Sequence, residues 1–210
     1  MSAPAHPPGA PGSASEADPH VDPHVDRDDL RHVGAQLGRP ARSVVAVAHR
    51  CPCGLPDVVT TAPLLDDGTP FPTTFYLTCP RAAAAIGTLE ASGMMREMTA
   101  RIAADPELAR AQQGAHEDYL RRRAELGDVP QIAGVSAGGL PHRVKCLHVL
   151  VAHALAAGPG VDPLGDEALA ALPPWWAAGP CVAPDQTVQT VQTVQTVQTV
   201  QTDSHVPEDR

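Results

Sequence analysis

The chain has 210 residues and a formal net charge of −9, from 24 acidic and 15 basic side chains. Between Leu30 and Val182 the balance is 13 Arg or Lys against 14 Asp or Glu, so the negative excess lies in the flanks. A near-neutral centre between acidic ends lacks the basic face that grips a phosphate backbone, which argues against nucleic acid as a partner. No run of ~18 apolar residues is present to cross a membrane.

Of the basic residues, 14 are Arg and one is Lys, a bias expected of a GC-rich genome rather than of a mechanism. Six aromatic residues leave a core that must be mostly aliphatic. The N-terminal stretch lacks the basic and apolar regions of a secretory signal. With that, the five cysteines read as free or metal-bound thiols in a cytoplasmic protein rather than as disulfides.

Residues 1–28, rich in Pro, Ala, Asp and His, form an expected disordered tail, in which "DPHVDPHVD" is a solvated repeat carrying His20 and His24. A single globular domain follows over residues 29–182. "SVVAVAHR" (43–50) and "DVVTTAPLL" (57–65) read as strands joined by a Gly-Leu-Pro turn, and "TTFYLTC" (73–79) as a third. Pro80 then opens a helix that runs to Gly93, "MMREMTARIAAD" is a second, and a third starts after Asp105 as N-cap with Pro106 in its first turn. A fourth is expected from Pro141 to Gly158. Strands first and helices after imply an α+β fold, a small antiparallel sheet of about three strands covered by four or so helices. Residues 183–210 hold the repeat "QTVQTVQTVQTVQTVQT" (186–202), whose period of three suits neither strand nor helix and marks a low-complexity tail.

Chemistry concentrates on cysteine. "HRCPCGLP" (49–56) places Cys51 and Cys53 one residue apart at a turn, a departure from the two-residue gap of a zinc knuckle. Cys79, just before Pro80, is the expected N-cap of a helix, where unpaired N–H groups and the helix dipole favour a thiolate. That makes Cys79 a metal ligand or the candidate nucleophile of an enzyme. On a helix from Pro141, Cys146 and His142 would share a face, whereas Cys146 and His148 would diverge by ~200°. The expected metal set is Cys79 and Cys146 with one or both of Cys51 and Cys53, and with His148, His142 or His49 as substitutes. Zinc suits such sulfur-rich ligation, and an iron–sulfur cluster would use the same residues. Cys181, beside the tail, is assigned no role. The loop "GVSAGG" (134–139) ahead of Arg143 and Lys145 is a candidate anion site, with the N–H groups of Gly138 and Gly139 forming a nest at a helix start.

The segments "QLGRPARSVVAVAHRCPCGLPDVV", "PFPTTFYLTCPRAAAAIGTLE" and "GLPHRVKCLHVLVAHALAAG", followed by "DPLG", resemble the uncharacterised bacterial family called domain of unknown function 501 (DUF 501). The resemblance covers about residues 29–173 and excludes both tails. It implies an actinobacterial source. The family's genes tend to lie beside septum-formation and exopolyphosphatase genes, which implies a cell-division or envelope setting, but the resemblance assigns no residue a catalytic role. The expected function is therefore a cytoplasmic, zinc-like metal-binding module that engages a protein partner. The rival expectation is a small thiol- or metal-dependent enzyme acting on a phosphate- or carboxylate-bearing substrate.

Overall fold

The computed structural model describes residues 25–182; residues 1–24 of the expected N-terminal tail, with His20 and His24, and the expected C-terminal tail with the QTV repeat lie outside the described residues. The chain runs through α1 (Arg27–Leu37), β1 (Val44–Arg50), β2 (Pro56–Thr61), β3 (Phe75–Leu77), α2 (Pro80–Ser92), α3 (Met94–Ala104), α4 (Pro106–Ala124), α5 (Leu147–Ala157) and α6 (Pro163–Ala170). The fold is α+β, with a three-stranded antiparallel sheet ordered β1-β2-β3.

The two faces of the sheet have different neighbours. In β2 and β3, Val58 pairs with Leu77 and Thr60 with Phe75, while Val59 pairs with Tyr76. Side chains alternate across a strand, so Val58, Phe75 and Leu77 share a face, and it packs with Ala152, Ala156 and Leu155 of α5 and Tyr119 of α4. Val59, Thr61 and Tyr76 face the other way, toward Val33 and Leu37 of α1, around a cavity of about 590 Å³ rimmed by Arg39 and Arg42. Arg42 is paired with Asp67, whereas Arg39 has no ion pair among the described residues.

Helix α5 is the spine. Leu147, Leu150, Val151, Ala152, His153, Ala154 and Ala156 are all buried, more than one face of a helix can supply. It packs against all three strands, α2 and α6, and Leu147, Leu150 and Val151 join Ile86, Met98, Ile102 and Leu164 in the main core. His153 is fully buried but satisfied: Nδ1 meets Asp162 at 3.3 Å and Nε2 meets Asp118 at 3.0 Å. Its ring stacks on Phe75 and sits edge-on to Tyr119. Asp162 also caps α6 by accepting from the Gly165 N–H at 3.0 Å, so one polar knot ties α4, α5 and α6 together.

Local signals explain most element boundaries. Asp26 caps α1 by accepting from the Asp29 N–H, and Asp105 caps α4 by accepting from Glu107 and Leu108. Gly93, at φ 95°, ends α2 where a side chain would be strained. Four expectations need correction. Helix α1 includes Arg27 and Asp28, which had been placed in the tail, and α6 was not anticipated. The third strand shrinks to Phe75–Leu77 because the chain turns at Cys79 into α2. The last long helix begins at Leu147, not Pro141. The Val144 N–H is taken by Thr99 Oγ1 at 3.0 Å and the Lys145 N–H by the Gly138 carbonyl at 2.7 Å, so neither bonds in a helical pattern.

Gly165 shows how tightly α6 lies on α5: a Cβ there would sit 2.5 Å from the Leu150 carbonyl oxygen. Gly165→Ala is expected to destabilise the protein by about 1–3 kcal/mol through overpacking. Urea unfolding would show this as a lower midpoint at unchanged slope.

Candidate metal centre

Three of the expected thiols meet at the junction of the hairpin turn and the start of α2. The turn is closed by the Cys51 N–H on the Leu55 carbonyl at 2.9 Å and the Gly54 N–H on the Cys51 carbonyl at 2.8 Å. Gly54 takes φ 90°, which a side chain would resist. Cys51 and Cys79 are buried in one cluster with Ala82 and Trp175, and Cys53 and Cys181 pack against it. Within the cluster the Cys51 thiol is influenced by Cys53, and that of Cys181 by Cys79 and Cys53. All four are free thiols.

Sequence reasoning passed over Cys181. It is held by neighbours far away in the chain: Gln36 Nε2 reaches its sulfur at 3.1 Å and the Pro56 carbonyl at 2.7 Å. Arg81 in turn donates to the Gly179 carbonyl at 2.5 Å. The electrostatics of the group are lopsided. The hydrogen bond from Cys181 draws the Cys79 thiol below its ordinary range against the effect of burial, and the N–H groups of Ala82 and Arg81 at the helix start act in the same direction. Cys181 is pushed upward by that same contact and by burial, and Cys51 is raised to about 11, chiefly by burial.

Cys146 and His148 lie outside this cluster. They meet Glu90, and the three ligand atoms lie within 4.8 Å of one another. Cys79 caps the start of α2 while Glu90 is in its last turn, about 16 Å along the axis at 1.5 Å per residue. The five expected ligands therefore belong to two sites. Cys146 is the N-cap of α5 in extended conformation (φ −155°), not a residue within a helix, so the expected divergence from His148 does not arise. Cys146 Sγ lies 3.8 Å from His148 Nδ1. Glu90 Oε1 is 3.1 Å from the same nitrogen and accepts the Leu147 N–H at 2.7 Å. His148 Nε2 is 3.2 Å from the Ala83 carbonyl. The contact with Cys146, opposed by burial and reinforced by Glu90, raises the His148 pKa to about 9.

The glycines of the expected anion site do not stand at a helix start. Gly138 and Gly139 lie in a short 3-10 turn well ahead of α5, whose first N–H is met by Glu90. A Cβ on Gly139 would meet Lys145 Cγ at 2.9 Å, and one on Gly138 would meet Leu150 at 3.1 Å, so these glycines serve close packing. Arg143 and Lys145 are exposed on the connection that follows. His49 is engaged by Asp57 at 2.7 Å, and His142 is exposed. Cys79 is fully buried, which places its sulfur beyond the reach of a substrate in this arrangement.

The fold and these clusters define an α+β protein with two thiol-bearing groups, one at each end of α2. The chain belongs to the family described as "Protein of unknown function (DUF501)", whose family model matches residues 47–170, more than half of the chain. That span contains Cys51, Cys53, Cys79, Glu90, Cys146 and His148; α1 and Cys181 fall outside it. No curated protein and no solved structure matches the chain. Among the described residues no helix is long and apolar enough to cross a membrane.

Because Glu90 supplies the cap that α5 lacks locally, Glu90→Ala is expected to cost about 0.5–2 kcal/mol. Glu90→Gln keeps an oxygen for the Leu147 N–H and should retain most of that stability. Comparing denaturant midpoints of the two variants tests the assignment.

Proposed function

We propose that this protein is a metal-stabilised binding module, in which Cys51, Cys53, Cys79 and Cys181 hold one zinc-type ion. The observation that carries this reading is the packing of four free thiols from three separate segments around the start of α2; no three of their sulfurs lie within 4.8 Å of one another, so the segments would have to draw in to seat the ion. Sulfur-rich sites of this kind favour zinc, and an ion with four protein ligands is structural rather than catalytic. The surroundings support it. The Gln36 amide already donates to Cys181, as outer groups do to metal-bound thiolates, and the buried indole N–H of Trp175 in the same cluster has no acceptor among the described residues. Such an ion would tie the hairpin, α2 and the C-terminal segment together in a protein with few aromatic side chains.

The binding surface in this reading is the groove between α1 and the sheet, apolar inside and rimmed by Arg39. It suits a protein segment with apolar side chains and a carboxylate. The setting we infer is the cytoplasm of an actinobacterium, where thiols stay reduced, with a partner in cell division or the envelope.

Metal content per chain and an absorption spectrum of the untagged protein test the metal. A zinc ion that disappears in Cys181→Ser and Cys79→Ser, together with a lower unfolding temperature, is the expected result. Iron with visible absorbance would make the centre a cluster. A cooperatively folded protein whose metal content is unaffected by either variant would overturn the reading.

A further inference from the structure

The group at the far end of α2 shares no residue with the thiol cluster, and its geometry calls for a separate account. Two of its three donors are oriented by the backbone of another element and the third by its own. His148 Nε2 donates to the Ala83 carbonyl of α2 at 3.2 Å, which aims Nδ1 at Cys146 and Glu90; an ion seated there would take the place of the Nδ1 proton. A metal-binding histidine is fixed in this way, by a hydrogen bond from its other nitrogen. Glu90 is anchored by the Leu147 N–H, and Cys146 is turned toward the ring by its extended backbone at the cap.

The spacings also suit an ion. Tetrahedral zinc, with bonds of about 2.3 Å to sulfur and about 2.0–2.1 Å to nitrogen or oxygen, separates its S and N ligands by about 3.6 Å and its N and O ligands by about 3.3 Å. The observed separations are 3.8 Å for Cys146 Sγ to His148 Nδ1 and 3.1 Å for His148 Nδ1 to Glu90 Oε1. Small adjustments of both would seat the ion.

Three protein ligands leave the fourth position of a tetrahedron open, the arrangement of reactive rather than structural zinc. Here the donors are reached by solvent, and Glu90 connects them to a cavity. The side chains of His148 and Glu90 are 33% and 23% exposed. Glu90 also lines a cavity of about 350 Å³ with Gly93, Met95, Arg96, Thr99 and Val144. Thr99 is occupied, bonded to the Met95 carbonyl and the Val144 N–H, whereas Arg96 has no ion pair among the described residues.

We propose that Glu90, Cys146 and His148 form a three-ligand site for a zinc-type divalent ion, whose open position takes a small phosphate- or carboxylate-bearing molecule that Arg96 helps to hold. The site is independent of the thiol cluster, so either can exist without the other.

Metal-stripped full-length protein titrated with Co²⁺ would test this, with inorganic phosphate as the anion probe. The ion at this site should give visible d–d bands and a thiolate charge-transfer band that Cys146→Ser abolishes and Cys181→Ser leaves in place. Glu90→Gln should weaken Co²⁺ binding while keeping the α5 cap, and it decides the matter if Cys146→Ser fails to fold. Phosphate should shift the d–d bands, with about tenfold or greater weakening in Arg96→Ala. Bands lost only in Cys181→Ser or Cys79→Ser would overturn this site and support the thiol centre; bands lost only in Cys146→Ser would do the reverse. Binding of Co²⁺ unchanged in both Cys146→Ser and Glu90→Gln would overturn the site. Bands insensitive to phosphate would overturn the open position.

Discussion

The bond between the Glu90 carboxylate and the Leu147 N–H organises much of this molecule. Helix α5 is too apolar and too thoroughly buried to start with a capping side chain of its own, and its N-cap, Cys146, makes no cap bond. An unpaired N–H at a buried helix start is costly. Glu90 meets that need from the last turn of α2, fixing the position of α5 relative to α2. Once α5 is placed, the sheet, α6 and the main core have a surface to pack on. The same carboxylate then stands beside Cys146 and His148, so the residue that starts the helix also completes the cluster.

The two thiol groups differ in their accessibility. Around Cys79 the sulfurs are enclosed by Trp175 and the C-terminal segment, and an ion held there would be shielded from solvent. Around Cys146 the donors are partly exposed, and one of them, Glu90, borders a cavity. A single helix separates them. Its start favours negative charge through its unpaired N–H groups, which suits thiolates. Its end carries Glu90, whose charge is offset by the start of α5. The electrostatics of helix ends therefore shapes both groups.

What could be read in advance was local. Asp105 and Pro106 announced α4, Pro80 and Gly93 bounded α2, and the β-branched runs before and after "CPCG" announced the hairpin. Cys79 was legible as a cap for the same reason. The start of α5 was not, because it depends on Thr99 and Gly138 drawing off the N–H groups of Val144 and Lys145, and on a carboxylate 57 residues away. The error moved Cys146 from a cap to a helix interior, which separated it from His148 and hid Glu90. Cys181 was overlooked on similar grounds: nothing around it in sequence distinguishes it, and its partner Gln36 is 145 residues away.

That contact between Gln36 and Cys181 has a consequence for how the chain reaches its native state. It joins α1 to the last described residues, so the domain closes on itself like a clasp. Local elements such as the hairpin and the α3–α4 pair can assemble early, but the clasp requires a loop of 145 residues to close, and contacts of such separation are slow to form. The equilibrium penalty is modest, because loop entropy grows only by about 0.6 kcal/mol for each doubling of length. The thiol cluster therefore belongs to the closing stage of assembly: until the C-terminal segment docks, Cys79 lacks its Cys181 neighbour and the hairpin turn is open to solvent on that side.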